Sequence, residues 1–153
     1  EALIDINIKA LSKLTKHFLP MIIKAKQGGI LNVASTAAFC SGPKMAAYYG
    51  SKAYVLNLTE AIHEEVKKDG IKVSCLCPGP VKTSFQAKAG IEKSEGAKKY
   101  LMEAKDVAKE GYKGFKKGKA IIVPGIKNKF LVNINKFVPR SIVRKIVLKT
   151  NEK

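Results

Sequence analysis

Tyr48 and Lys52 stand four residues apart in the run Tyr48-Tyr49-Gly50-Ser51-Lys52. On a helix that spacing puts both side chains on one face. Upstream of them lies Ser35, just after the apolar run Ile30-Leu31-Asn32-Val33, which Gly28-Gly29 introduces. The run reads as a strand, and a residue at the carboxyl end of a strand sits at the rim where open α/β sheets bind ligands. A phenol, an ammonium and a hydroxyl then converge on one small volume. A free phenol has a pKa of about 10, too high for proton transfer near neutrality. A cation about 4 Å away, at an effective dielectric of about 20, stabilises a phenolate by roughly 4 kcal/mol at most. A tyrosine so placed can give or take a proton at physiological pH, while a hydroxyl holds the same substrate oxygen. The assembly suits one event: protonating or deprotonating the oxygen of a carbonyl/alcohol pair while a hydride moves at carbon.

The Tyr-x-x-x-Lys spacing alone is weak, because roughly one is expected by chance in so lysine-rich a chain. A second, Tyr112 and Lys116, is present. It has no strand before it and no serine at the matching upstream position, and Tyr48 has both.

With that context the stretch resembles the active-site segment of the short-chain dehydrogenase/reductase family, in which a Ser and then Tyr-x-x-x-Lys follow the fifth strand of a Rossmann-type sheet. Ser35, Tyr48 and Lys52 fall on the family's catalytic serine, tyrosine and lysine. Asp5-Ile6-Asn7-Ile8 resembles the helix segment that bears a fourth catalytic residue, here Asn7. Cys77-Pro78-Gly79-Pro80-Val81-Lys82-Thr83 resembles the Pro-Gly turn whose later Val and Thr touch the nicotinamide carboxamide. The resemblance implies cofactor contacts from Tyr48, Lys52, Pro78, Gly79, Val81 and Thr83. It also implies a cofactor that is NAD or NADP, and a doubly wound α/β sheet.

The chain's 153 residues, 46% of them apolar, can hold one core. No run of 18 apolar residues exists, so no membrane span is expected, and the cytoplasm is the expected compartment. Cys40, Cys75 and Cys77 suggest no disulfide framework. Cys75 and Cys77 read as buried structural thiols on one face of a strand, and with His17 and His63 far off in sequence no metal site is expected. The net charge of +17 raises nucleic acid or an anionic membrane as partners, or is simply a solvated basic surface. Nucleic acid is set aside, because the lysines are dispersed and no base-stacking motif accompanies them.

In chain order, residues about 1–26 read as one helix carrying Asn7, with Leu3, Ile6, Leu11, Leu14, Phe18, Met21 and Ile22 at helical spacing. Pro20 should kink it or weaken it. Asn7 is either a polar residue on a helix face or, by the resemblance, part of a proton relay from the lysine to solvent. The loop 36–45 either lines the substrate site or packs on itself. A second helix, about 45–69, ends at Asp69-Gly70. By the resemblance, these two helices pack against their copies in a homo-oligomer; the second helix's stripe of Tyr54, Leu58, Ile62 and Val66 could equally face its own sheet. Ile71–Cys77 reads as a second buried parallel strand. Residues 84–104 have little apolar content, which fits disorder, and by the resemblance a flap over the substrate. A helix over about 104–117 and a short strand over 120–123 follow. The tail, 126–149, alternates aliphatic and aromatic residues with Arg140, Arg144, Lys145 and Lys149 around a break at Pro139. That basic amphipathic pattern suits an anionic membrane surface, a cover over a long apolar substrate, or a terminal helix packed on its own domain.

No Gly-rich turn of the dinucleotide-binding type follows a strand in these residues. By the resemblance the chain looks like the C-terminal three-fifths of such an enzyme. The expectation is that this stretch alone is inactive, holds no dinucleotide tightly, and associates through an unpaired sheet edge. Two function classes follow. One is an NAD(P)-dependent oxidoreductase acting on a small carbonyl or alcohol. The other is a non-catalytic basic module bound to a membrane surface through its tail.

Overall fold

The computed structural model describes residues 1–83 and 101–151; the stretch read as a substrate flap falls almost wholly outside them. Three parallel strands form the sheet: β1 (Gly29–Val33), β2 (Lys72–Leu76) and β5 (Ile121–Ile122), in the order β1-β2-β5. Gly29 pairs with Lys72 and Val33 with Leu76, while Cys75 pairs with Ile121. A separate two-residue pairing joins β3 (Val81–Lys82) to β4 (Met102–Glu103).

The first helical region runs from α1 (Ala2–Ile4) through a π-helical turn, Asp5–Ala10, into α2 (Leu11–Ala25). Pro20 lies inside α2 without ending it. The turn to the sheet uses left-handed backbone at Lys26 and Gly28. Gly29 is obligatory for a different reason: a Cβ there would lie 2.2 Å from the Lys72 carbonyl. A short 3₁₀ turn, Thr36–Phe39, follows β1, and α3 spans Ala46–Val66. A further 3₁₀ turn, Lys67–Asp69, closes at Gly70 with φ 72°, the conformation that suits glycine at a helix end.

Alternation along the strands decides which side each residue serves. Val73, Cys75 and Cys77 face α3, where Val55, Leu56, Ile62 and Val66 meet them. Leu19, Ile22 and Ile23 of α2 join the same layer. Leu58, Ile62 and Val66 of the predicted stripe thus serve the chain's own core, whereas Tyr54 is exposed. Leu76 and Ile122 face the opposite side, against Val107 of α4 (Ala104–Lys116). Gly111 and Gly114 lie directly over Leu76 and Ile122 and let α4 approach the sheet closely. Helices on both faces of a parallel sheet make the doubly wound α/β arrangement expected from the sequence.

The tail forms α5 (Ile126–Ile134) and α6 (Arg140–Asn151), parted at Pro139. Val132 and Val143 are buried, whereas Ile126, Phe130, Phe137, Ile142 and Ile146 are exposed. Among the described residues, no helix is long and apolar enough to cross a membrane.

Candidate active site

The carboxyl ends of β1 and β2 meet at Ser35 and Pro78. The Ala34 N–H donates to the Leu76 carbonyl (2.8 Å), and the Thr36 N–H donates to the Pro78 carbonyl (2.9 Å). Between them Ser35 is fully extended, φ −171° and ψ 163°. Its Oγ accepts from the Ala37 N–H at 3.1 Å and donates weakly to the Pro78 carbonyl at 3.4 Å. The hydroxyl therefore caps the 3₁₀ turn and retains acceptor capacity at the rim. That turn packs on α3, which brings the serine segment beside the helix that carries the phenol.

Buried polar contacts set the position of α3 on the sheet. Asn32 Nδ2 donates to Thr59 Oγ1 at 3.0 Å, and His63 Nδ1 meets the Val73 carbonyl at 2.6 Å. Polar atoms this deep are costly to leave unpaired, so the two contacts resist sliding or rotation of the helix.

Near the start of α3, Tyr48 and Lys52 share a face, as their spacing predicts. Lys52 Nζ lies 5.9 Å from the centre of the Tyr48 ring and donates to the Val33 carbonyl at 3.1 Å. The strand thus holds the ammonium two residues before Ser35. Burial pushes the Lys52 amine below its usual range, because a low-dielectric setting disfavours the charged form. The neighbouring thiols of Cys75 and Cys77 are buried with sulfurs 3.7 Å apart. The contact with Cys75 and burial together drive the Cys77 thiol far up, which suits an inert core thiol at Cys77.

Asn7 lies inside the π-helical turn, a widened geometry that recurs at functional sites. Its Nδ2 donates to Ser51 Oγ at 3.0 Å, and Ser51 Oγ donates to the Tyr48 carbonyl at 2.7 Å. Asn7 is thereby tied to the helix turn that presents Tyr48. Asn7 and Lys52 also line one cleft of about 480 Å³, with Ile6, Leu11, Leu14 and Phe18, along the outer edge of β1. Ser51 was not singled out from sequence. Its only sign there is a serine inside a helix three residues after the tyrosine, where a hydroxyl can bond back to a carbonyl of the preceding turn.

The turn Pro78-Gly79-Pro80 leaves β2, and Val81 enters the β3–β4 pairing, where Lys82 forms an ion pair with Glu103. Thr83 follows, exposed. Ser35, Tyr48, Lys52 and Asn7 are thus linked through β1 and the start of α3. Pro78 is joined to them by the Ser35 and Thr36 hydrogen bonds, and Thr83 is positioned through the β3–β4 pairing.

The chain is similar to members of a known family. The sequence profile described as short chain dehydrogenase matches residues 1–94. Human dehydrogenase/reductase SDR family member 4 is 38% identical over 92 residues, covering 60% of this chain and 33% of that protein. The chain spans about a third of the length of such curated relatives. Among solved structures, a 7beta-hydroxysteroid dehydrogenase superposes with a TM-score of 0.83 at 21% identity, covering 94% of this chain and 56% of its own. A short-chain dehydrogenase from Sphingobium yanoikuyae, in complex with NADPH, gives 0.73 at 24% identity, covering 88% and 53%. These likenesses show the fold.

Proposed function

The chain belongs to the short-chain dehydrogenase family, and from that premise we propose that the full-length protein passes a hydride between a nicotinamide dinucleotide and a ketone or secondary alcohol. The observation that carries the reading is the seat of Lys52: an ammonium, mostly out of water, beside the Tyr48 ring and fixed to the strand end that leads to Ser35. One of its three donors is taken by Val33, which leaves two for a ribose hydroxyl or a water. Pro78, Gly79, Val81 and Thr83 supply a turn that suits the carboxamide end of NAD or NADP. When bound, the dinucleotide supplies or accepts the hydride.

The chain's own groups handle the proton. In reduction, the Tyr48 hydroxyl gives its proton to the substrate oxygen as that oxygen gains charge. The Lys52 ammonium stabilises the phenolate left behind. Ser35 accepts or donates at the same oxygen and orients it. Asn7, tied through Ser51 to the Tyr48 turn, supports reprotonation from solvent. Oxidation runs the same steps backwards. Tyr48→Phe in the full-length protein should abolish turnover and leave dinucleotide binding intact, the ring being retained. Turnover that survives removes the phenol from the mechanism. The cytoplasm is the proposed compartment. Association of copies through the first helical region and α3 is supported by uncovered Ile6, Leu14, Phe18 and Met21.

A second reading concerns the tail, and the two are compatible. Residues 126–149 carry seven basic side chains and no acidic one, and Ile126 and Phe137 are each 85% exposed. Exposed apolar groups among cations support contact with an anionic membrane surface.

A further inference from the structure

A second concavity lies away from Lys52, between the tail, the loop after Ser35 and the outer flank of α3. Its volume is about 900 Å³, within the range of small-molecule sites. One wall is Phe39, Cys40 and Pro43, another is Tyr49 and Ala53 of α3, and the tail closes it with Val132, Val138 and Val143. Burial pushes both the Cys40 thiol and the Tyr49 phenol above their usual ranges, so these walls favour neutral groups and apolar contact. The tail is fastened across the groove. Asn151 Nδ2 donates to the Pro43 carbonyl at 2.8 Å.

Charge at the rim is one-sided. Among the described residues, Lys136 and Arg140 line the groove and no carboxylate does. Neither cation forms an ion pair among the described residues. Both are exposed, so water solvates them until a ligand arrives. A groove whose apolar walls also include Ser41, Asn57 and Asn135, with an ammonium and a guanidinium in its lining, is complementary to one ligand chemistry: an extended hydrocarbon chain ended by an anion. Arg140 presents a planar fork that matches a carboxylate with two parallel hydrogen bonds.

We propose that this groove binds a long-chain carboxylate, with the hydrocarbon against Phe39, Tyr49, Ala53, Val132 and Val138 and the carboxylate between Lys136 and Arg140. The assignment uses neither Tyr48 nor Lys52 and stands independently of the hydride-transfer reading. It makes the tail a wall of a binding site, and it gives the two rim cations a ligand to meet.

The test is fluorescence titration of the full-length protein with cis-parinarate, followed by displacement with dodecanoate and with dodecanol below their aggregation limits. Saturable parinarate binding is expected, with dodecanoate the better competitor by about tenfold, the scale of two partly exposed charge contacts. Lys136→Gln with Arg140→Gln changes only exposed side chains, and should bring dodecanoate down to the level of dodecanol without altering the latter. Ala53→Phe should fill the trough and remove both, with the thermal unfolding midpoint unchanged. Equal competition by the two compounds in the unaltered protein overturns the proposal. So does a carboxylate preference that survives loss of both cations, or binding seen only above the aggregation limit.

Discussion

Replacing Lys52 by Met removes the ammonium and keeps most of the stem, so its electrostatic part can be measured alone. The ammonium lies 5.9 Å from the centre of the Tyr48 ring. With an effective dielectric of about 20, its attraction for a charge spread over that ring is about 3 kcal/mol. That is about two pK units, or about 100-fold in rate near neutrality. The expected outcome is a fall in kcat/KM of that size for ketone reduction, followed by absorbance of the reduced nicotinamide, with the deficit shrinking as pH rises and a phenolate becomes easier to form. Stability should respond in a different direction. The Lys52 amine is held below its usual value of 10.5 by burial, so between its folded value and 10.5 the unfolded chain binds more protons than the folded one. Stability contributed by this group is therefore complete above 10.5 and lost as pH falls through the folded value. Relative to Lys52→Met, the unaltered protein should gain stability as pH is raised through that window and lose it on the way down. At neutral pH the variant loses the hydrogen bond to Val33, worth about 1 kcal/mol, and is relieved of a half-buried charge, so its unfolding midpoint should change little. A variant that keeps the unaltered rate near neutrality, while remaining folded, refutes the claim that this ammonium assists the phenol.

Two further outcomes follow from particular contacts. Ser51→Ala removes the atom that joins Asn7 to the Tyr48 turn and leaves the Asn7 amide without that partner, a loss of about 1–3 kcal/mol. Calorimetry should show a midpoint lower by several degrees, and the double variant with Asn7→Ala should lose less than the sum of the two single changes. In the tail, Phe130→Glu with Phe137→Glu alters side chains that are 64% and 85% exposed, so folding should be unchanged. Co-sedimentation with anionic vesicles should drop by about 100-fold, the scale of keeping two phenylalanines out of the interface; undiminished binding rejects the membrane reading of the tail.

Much of the architecture was open to a reader of the chain, for local reasons. Gly28-Gly29 before Ile30-Leu31-Asn32-Val33 and Asp69-Gly70 before Ile71–Cys77 mark strand entries by backbone needs, and both became strands within a residue or so of their expected bounds. The four-residue interval of Tyr48 and Lys52 fixed a shared helix face regardless of what surrounds it. The tail's two helices part between Ile134 and Arg140, around Pro139 as expected, whereas Pro20 is carried inside α2.

Other features depend on residues far apart in the chain. The Asn7–Ser51 bond spans 44 positions and the Asn151–Pro43 bond 108, and neither an asparagine nor a serine announces its partner. The tail's pattern shows aliphatic residues on more than one face, so only packing could assign Val132 and Val143 inward and Phe130, Phe137 and Ile146 outward. Likewise the π-helical turn under Asn7 has no residue signature. What the chain's order determined on its own were the main helices and strands and the Tyr48–Lys52 spacing, since these rest on backbone conformation and short-range periodicity. The choice of which polar groups meet, and of which apolar faces are covered, was left to the tertiary structure, because burial is a property of surfaces brought together by folding.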